Sequence, residues 1–302
     1  MTAAGVTDSL LAEALATIAS EVDAAFDAML PVPDDARARL YEAMRYATIG
    51  GGKRLRPLLL TAVAAMYGVE REAAIRAAIA IESIHVYSLI HDDLPCMDDD
   101  AVRHGKPTAH LAFDEATAVL AGDSLHDFAF EILSDPATCA DPFTRVELVR
   151  TLACSSGASG MAGGQMMDLV AETSEFDLQT VTRLQQLKTG ALLGAAVEMG
   201  AILGRVPVNG RTHLRGYARD IGLAFQIADD LIDHEGDAEV AGKAVGKDAD
   251  AGKETFVSLL GAERAREQAR MLVDQAVGHL AGHGKEADLL RAVARYIVER
   301  DR

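Results

Sequence analysis

Apolar residues recur every three or four positions through most of this 302-residue sequence, which is the spacing of one face of an α-helix. In residues 8–29, for example, Leu11, Ile18 and Phe26 share a face, and Pro31 follows the segment. No stretch reads convincingly as a strand. The pattern predicts a series of helices, at about residues 8–29, 34–48, 57–67, 73–92, 111–134, 144–158, 179–199, 213–233, 262–280 and 285–299.

Composition supports the same fold class. Hydrophobic residues make up 49% of the chain, but aromatic residues only 5%, and Trp is absent. An apolar mass of Ala, Leu, Val and Ile favours packed helices over a β-sandwich. At 302 residues the chain can bury a large core, as one large domain or two small ones.

The net charge restricts the partners. Lys and Arg number 29 against 46 Asp and Glu, a balance of −17, which argues against nucleic acid and anionic membranes as the main partner. Cys96, Cys139 and Cys154 show no CxxC spacing and indicate free thiols in a reducing compartment. No apolar run reaches the ~18 residues of a membrane span. We therefore expect a soluble, cytoplasmic protein without a stable membrane anchor.

A first acidic cluster follows directly after the predicted helix 73–92. It contains Asp92, Asp93 and Asp98–Asp100. An exposed acidic loop is the simpler interpretation, but the preceding apolar helix carries these charges to the edge of a core. Pro95 would break the helix and allow Asp98 to return beside Asp92. Carboxylates that hold divalent cations attract phosphate groups.

A second acidic cluster lies on the predicted helix 213–233. Gln226, Asp229, Asp230 and Asp233 fall on one stripe of that helix. Like charges at this spacing destabilise a helix unless a cation lies between them, so the pattern indicates a second metal-binding wall.

Basic residues form two groups. Lys53 and Arg56 precede a predicted helix N-terminus, where an anion is favoured, although a Gly-rich turn with surface cations is the simpler alternative. The turn is not a P-loop, because the required Gly and Ser/Thr positions do not match. His85 lies about 10 Å along the helix from Asp92, on the same face. Further cations are Arg103, Lys188 and, in a Gly-rich loop that we interpret as a lid, Lys243, Lys247 and Lys253.

These features suit one kind of chemistry. Two oxygen-ligand clusters imply Mg²⁺, two basic groups imply more than one phosphate-bearing moiety, and apolar helices between them imply an apolar substrate body. No Ser–His–Asp or Cys–His arrangement and no dinucleotide fingerprint is evident. Ionisation of a diphosphate ester needs only this equipment.

The motifs also carry a family resemblance that covers essentially the whole chain. The sequence resembles the short-chain trans-prenyl diphosphate synthases of the bacterial farnesyl diphosphate synthase type. The motifs, in the family's order, are GGGKRLRP, DDLPCMD, HGKPT, GQMMDL, KTG, FQIADDLID and YIVERD.

The resemblance implies an all-α fold, with about ten or more helices around a central cavity in a single domain over residues 1–302, and a homodimer. It also implies condensation of isopentenyl diphosphate with an allylic diphosphate, assisted by three Mg²⁺ ions. The implied metal ligands are Asp92, Asp98 and Asp229, with Asp93 and Asp233 beside them. The implied allylic-diphosphate residues are Arg103, Lys188, Thr189, Gln226, Lys243 and Lys253, of which Arg103, Lys188, Thr189 and Gln226 are also the catalytic candidates. The implied isopentenyl diphosphate residues are Lys53, Arg56, His85 and His104.

Two positions depart from the family pattern, and two others bear on the product. His104 stands where the family usually has the second Arg of a pair, and Ala101 stands where another Asp is common. A histidine titrates near pH 6.5 and is a poorer phosphate partner at neutral pH, so we expect weaker, more pH-sensitive isopentenyl diphosphate binding. Tyr87 and Ser88, one turn before Asp92, are the candidates for limiting chain length. We expect a C15 product, with C10 or C20 as the alternative.

Three other functions compete with this interpretation. A terpene cyclase also uses an Asp-rich helix and Mg²⁺ but needs no second diphosphate site. An HD-type phosphohydrolase would use His91 and Asp92, but the other histidines do not supply its remaining ligands. A regulatory subunit of a heteromeric synthase is the non-enzyme alternative, although such subunits typically lose an Asp-rich motif, and both motifs are intact here.

Overall fold

The structure, a computed structural model, describes residues 3–235 and 253–299, and these residues are almost entirely helical. The α-helices are, in chain order, α1 (Ala3–Met29), α2 (Ala38–Thr48), α3 (Leu55–Met66), α4 (Arg71–Asp92), α5 (Ala109–Ala112), α6 (Glu115–Ser134), α7 (Pro142–Ser156), α8 (Met161–Ala171), α9 (Leu178–Gln185), α10 (Ala191–Leu203), α11 (Thr212–Glu235), α12 (Phe256–Leu260), α13 (Ala262–His279) and α14 (Asp288–Glu299). The predicted all-α class is confirmed.

Helix α4 lies at the centre of the bundle, against α1, α3, α6 and α10. Ile79, Ile81 and Ile84 are fully buried in it, so its apolar residues face neighbours on several sides. Within the described ranges it is also the helix that has the length and composition of a membrane span. Because 61% of its apolar window is buried inside the bundle, we interpret it as a core helix. Its end at Asp92 matches the predicted end and carries the first acidic cluster to the edge of the core.

Aspartate side chains cap the beginnings of three helices. Asp114, Asp141 and Asp177 each accept a hydrogen bond from a backbone N–H two or three residues further along the chain. The cap at Asp114 starts α6 at Glu115, so the predicted helix over 111–134 is interrupted near its beginning.

The predicted continuous helix over 179–199 is wrong in one respect. Between α9 and α10 the backbone forms a π-helix over Gln186–Gly190. A π-helix inserts an extra residue into a helical turn and is frequent at functional sites. The insertion falls on Lys188 and Thr189, two of the predicted catalytic residues.

The expectation of no strands is also wrong, by one short hairpin. Strand β1 (Val102–Arg103) pairs antiparallel with β2 (Lys106–Pro107). The two turn residues, His104 and Gly105, have φ of 52° and 74°, as a tight hairpin turn with the twist of the strands requires. The hairpin turns the chain back after the first acidic cluster and sets the positions of Arg103 and His104.

A close helix contact gives a first prediction. A Cβ atom on Gly200 of α10 would lie 2.5 Å from the Leu60 carbonyl oxygen of α3, whereas a Cβ on Gly194 of the same helix meets no atom within 4 Å. We expect Gly200→Ala to lower the free energy of unfolding by about 1–3 kcal/mol through overpacking. Gly194→Ala, the matched control, should raise it by up to about 1 kcal/mol through helix propensity. Urea denaturation of both variants measures the difference, and equal effects would contradict this packing.

Candidate active site

A cavity of about 360 Å³ opens between α4, α11 and the loop that precedes α3. Its walls include apolar side chains such as Leu89, Leu193 and Phe225. Many of the predicted site residues line it, from segments far apart in the sequence: Lys53, Arg56, His85, Asp93, Arg103, His104 and Asp229. The cavity therefore brings together a basic end, carboxylates from two helices and an apolar lining.

At the basic end, burial lowers the pKa values of two side chains, His85 and Arg56. Burial lowers the pKa of His85 well below 6.5, with further lowering from Arg56 and Arg54, so His85 is neutral at pH 7 and can donate one hydrogen bond. Arg56 has a buried Nε atom without a hydrogen-bond partner in the described part of the chain. Burial also lowers the Arg56 pKa. A buried donor without a partner is costly, and an anion in the cavity would satisfy it.

The first acidic cluster folds back on the end of α4, as we predicted from the helix-breaking effect of Pro95. The Asp98 backbone N–H donates to the Asp92 carbonyl oxygen at 2.8 Å. Burial raises the pKa of Asp92 to about 6; Lys188 opposes this shift, while Asp98 adds to it. Asp92 is therefore a carboxylate that the protein alone stabilises poorly.

Two other carboxylates of this cluster, Asp93 and Asp100, pair with Arg103. Asp93 is buried and forms an ion pair with Arg103, whose Nε lies 3.0 Å from Asp93 Oδ1. Arg103 also contacts Asp100 Oδ2 at 3.3 Å. Burial raises the Asp93 pKa, and the contact with Arg103 opposes that rise. Asp93 and Arg103 thus bind each other at the edge of the cavity.

Asp168 joins two of the predicted lysines. Its Oδ2 accepts from Lys188 Nζ at 2.8 Å and from Lys253 Nζ at 2.9 Å. Burial alone would raise the Asp168 pKa, but the two lysines more than offset it and hold the pKa below 3.8. Asp168 therefore gathers cations from two distant segments into one group.

A chain of hydrogen bonds links the π-helix to α11 and α12. Thr189 Oγ1 donates to Gln226 Oε1 at 3.2 Å, and Gln226 Nε2 donates to Asp230 Oδ1 at 3.0 Å. The other Asp230 oxygen accepts from the Phe256 backbone N–H at 2.9 Å. Asp230 is buried. It orients Gln226, which the sequence placed at the allylic diphosphate.

Gly164, the first residue of the GQMMDL segment, packs closely against the π-helix backbone. A Cβ on Gly164 of α8 would lie 2.2 Å from the Lys188 backbone nitrogen. Helix α8 can therefore approach the π-helix backbone only with glycine at this position. The approach brings Asp168 of the same helix to the lysines.

The predicted chain-length residue Tyr87 lies in a row of rings between α4 and α6. Its ring centroid is 5.2 Å from that of His126 and 5.7 Å from that of His91, in edge-on contacts, and His126 continues the row to Phe130 at 5.1 Å. Ser88 donates its hydroxyl to the His85 carbonyl oxygen at 2.8 Å.

The carboxylates suit Mg²⁺ in their chemistry. Asp92 is held with a raised pKa beside Asp98 and within electrostatic reach of Asp93, and a divalent cation would relieve this repulsion. Over residues 3–235 and 253–299, no group of three His, Cys, Asp or Glu side chains is arranged as a complete metal site. Mg²⁺ commonly takes one or two carboxylates and completes its shell with water and substrate phosphate. The residues therefore fit an ion that binds together with substrate.

From the sequence alone, no role follows for two residues that organise the site, and one predicted segment lies outside the described residues. Asp168 and Arg54 are indicated in the sequence only by their positions inside the GQMMDL and GKRLRP motifs, whereas Asp230 belongs to the acidic stripe predicted on the helix 213–233. Lys243 and the lid interpretation lie outside the described residues, whereas Asp233 is half-buried near the end of α11.

Taken together, the helical bundle and its cavity, which is lined by basic residues, carboxylates and apolar side chains, define a class of protein: a helical protein whose charged cavity suits an anionic substrate with an apolar body. The particular family follows from comparison. Residues 37–296 match the sequence profile of the polyprenyl synthetase family, so the chain belongs to that family and is a prenyltransferase.

Known proteins agree on the family and differ in product. The chain is 45% identical over 271 residues to farnesyl diphosphate synthase of Escherichia coli K12, covering 86% of this chain and 89% of that protein. It is 42% identical to the large subunit 1 of the chloroplastic heterodimeric geranylgeranyl pyrophosphate synthase of Arabidopsis thaliana, covering 94% of this chain and 78% of that protein. A crystal structure of an FPP/GFPP synthase from Zymomonas mobilis superimposes with a TM-score of 0.88 at 59% identity, covering 95% of this chain and 98% of that one.

The raised pKa of Asp92 predicts a pH-dependent cost. A carboxyl whose folded-state pKa is about 6, against 3.8 ordinarily, destabilises the fold increasingly as pH rises from about 4 to 6 and fully above that. In EDTA at pH 7.5 we expect Asp92→Asn to raise the free energy of unfolding by about 1–3 kcal/mol. The gain should shrink by more than half at pH 4.5. Thermal and urea denaturation at both pH values measure it.

The matched control is Asp98→Asn, because Asp98 belongs to the same cluster but is exposed. We expect Asp98→Asn to change the free energy of unfolding little at either pH. A stabilisation by Asp92→Asn that does not depend on pH would contradict the assignment.

Proposed function

We propose that this chain catalyses the Mg²⁺-dependent condensation of isopentenyl diphosphate with a C5 or C10 allylic diphosphate, giving farnesyl diphosphate. One observation carries the proposal: a single cavity is lined by Lys53, Arg56 and His85 at one end and by Asp93 and Asp229 from two helices elsewhere. A two-ended cavity of this kind suits two diphosphates with an apolar body between them. Residues 1–302 act as one polyprenyl synthase domain in this proposal.

The carboxylate side takes the allylic diphosphate. Asp92, Asp98 and Asp229, assisted by Asp93 and Asp233, would hold three Mg²⁺ ions, which would supply positive charge to it. Arg103, Lys188, Thr189, Gln226, Lys243 and Lys253 bind its oxygens. The hydrogen bonds of Asp168 to Lys188 and Lys253, and of Asp230 to Gln226, support these roles because they orient the donors before substrate arrives.

The basic end takes isopentenyl diphosphate. Lys53 and Arg56 supply charge, and neutral His85 supplies a hydrogen bond. The unpartnered Nε of Arg56 supports this assignment, since an incoming diphosphate oxygen would satisfy it.

The reaction needs no side-chain nucleophile. The allylic C–O bond breaks, and diphosphate leaves with the electron pair. The isopentenyl double bond then attacks the allylic cation to form the new C–C bond, and the departed diphosphate accepts the proton that is lost to form the product double bond. Bound Mg²⁺ supplies charge that stabilises the leaving diphosphate. Lys188, Thr189, Gln226 and Arg103 hold that diphosphate in place during the step.

Assembly and location complete the proposal. We infer a homodimer, supported by apolar side chains that are exposed on α6 and α7, among them Leu120, Phe143 and Val146. A cytoplasmic location without membrane anchoring fits the acidic chain, whose net charge of −17 also disfavours nucleic acid.

A product assay tests the function. The purified chain would be incubated with Mg²⁺, isopentenyl diphosphate and, separately, C5, C10 and C15 allylic diphosphates. A C15 product from the C5 and C10 starters is the expected result. A C20 product would retain the chemistry and overturn the chain length, and absence of condensation at any pH would overturn the function and favour a regulatory subunit.

The chain-length proposal rests on Tyr87. We expect Tyr87→Ala to remove the ring that lies between His91 and His126 in this row and to shift the main product to C20 or longer. Tyr87→Phe keeps the ring and is the control that should leave the product unchanged. Product chromatography measures the result, and an unchanged length in Tyr87→Ala would place the floor of the cavity elsewhere.

The His104 departure predicts a pH effect on one substrate. Burial lowers the His104 pKa below 6.5, and Arg103, Arg54 and Lys106 lower it further, so the ring is neutral at pH 8 and gains charge only in acid. We expect the isopentenyl diphosphate KM of the wild type to exceed that of His104→Arg about 3–10-fold at pH 8, from the loss of a charged hydrogen bond. The ratio should narrow toward pH 6.

The ratio of the two KM values is the readout, because the diphosphate of the substrate titrates in the same pH range and affects both enzymes equally. A ratio of the two KM values that stays constant between pH 6 and 8 would contradict the explanation by the charge of His104.

A further inference from the structure

Arg54 lies in the sequence between Lys53 and Arg56, two of the residues proposed to bind isopentenyl diphosphate, but its surroundings differ from theirs. Its side chain is only 2% exposed. One guanidinium nitrogen lies 2.8 Å from Glu82 Oε1 of α4, and the other lies 2.8 Å from Asp23 Oδ1 of α1. The second nitrogen also donates to the Thr48 carbonyl oxygen at the end of α2. We call Asp23, Arg54 and Glu82 the Arg54 clamp.

The clamp holds both ends of one loop. Asp23 Oδ2 accepts from the Gly50 backbone N–H at 3.1 Å, while Oδ1 of the same carboxylate holds Arg54. The loop from Gly50 to Arg54 is thereby fixed to α1 at its beginning and to α1 and α4 at its end. Lys53 lies within this loop, and Arg56 lies in the first turn of α3, which follows it.

The backbone of Arg54 is strained, which indicates that these contacts determine the loop conformation. Its φ is 51°, in the left-handed region that non-glycine residues adopt rarely. The strained residue is also the N-cap of α3, and its side chain makes no capping hydrogen bond. The left-handed turn instead directs the side chain inward to the two carboxylates.

Charge gives the clamp a second effect. Glu82 lines the cavity and is buried, so an unpaired Glu82 carboxylate would repel a diphosphate there. Arg54 neutralises Glu82, which leaves Arg56 without a hydrogen-bonded carboxylate at its Nε. The guanidinium of Arg54 already has three protein acceptors, in contrast to Arg56.

We propose that Arg54 is a positioning residue for isopentenyl diphosphate: through its ion pairs with Asp23 and Glu82 it sets the loop that presents Lys53 and Arg56, and it neutralises Glu82. This inference rests on the proposed function, since it assigns the basic end of the cavity to that substrate. The clamp acts on one diphosphate site and leaves the other, at Asp92 and Lys188, unchanged.

Arg54→Lys tests the clamp with the charge retained. A lysine has no planar fork to reach Asp23, Glu82 and Thr48 together. We expect the isopentenyl diphosphate KM to rise about tenfold, while the allylic diphosphate KM changes less than about twofold. Asp23→Asn, a milder change at a partly exposed residue, should raise the isopentenyl diphosphate KM about 2–4-fold.

Arg211→Lys is the matched control. Arg211 is equally buried, bridges Glu147 and Glu198, and donates to the Val206 carbonyl oxygen, yet it does not line the cavity. Its replacement should lower the melting temperature as much as Arg54→Lys does, with both KM values unchanged. Melting temperatures and both KM values are measured on all variants and on the wild type.

Each outcome decides a different question. If both KM values rise together in Arg54→Lys, or neither rises, the clamp is only structural and the inference is overturned. If the wild type condenses no substrates, the proposed function itself fails, independently of the variants.

Discussion

Charge at the edge of an apolar core is the constraint on which this structure depends. Helix α4 is buried through most of its length and ends at Asp92, where burial raises the pKa of the carboxyl to about 6. Folding places this group where water and protein stabilise its charge poorly. The chain belongs to the polyprenyl synthetase family and is a prenyltransferase, and in the proposed function Mg²⁺ bound with the substrate diphosphate would compensate this charge.

The carboxylate side and the basic end of the proposed site differ in how far their charged groups are already paired within the protein. On the carboxylate side, cations are already paired within the protein: Lys188 and Lys253 with Asp168, and Arg103 with Asp93. At the basic end, Arg54 forms an ion pair with the nearby carboxylate Glu82, and Arg56 Nε has no hydrogen-bond partner among the described residues. In the proposed function, the carboxylate side would therefore need added cations before it attracts a diphosphate strongly, whereas the basic end would attract one directly.

Much of this could be predicted from the sequence, because helical periodicity and the position of charge within a motif are local signals. The end of α4 at Asp92 and the acidic stripe of α11 follow from such signals. The π-helix at Lys188 does not, since one inserted residue hardly alters an apolar pattern. The roles of Arg54 and Asp168 could not be predicted from local signals either. The carboxylate partners of Arg54 lie 28 and 31 residues away in the sequence, and the lysine partners of Asp168 lie 20 and 85 residues away. Ion pairs across such separations depend on packing, which a single sequence does not encode locally.

The most direct test of this account is the affinity of an unreactive allylic diphosphate analogue, measured by calorimetry with Mg²⁺ and with EDTA, beside the affinity of isopentenyl diphosphate under both conditions. We expect removal of Mg²⁺ to weaken the allylic analogue by at least about 100-fold, because its site is walled by carboxylates, and to weaken isopentenyl diphosphate much less. Equal affinity of the allylic analogue with and without Mg²⁺ would contradict the account.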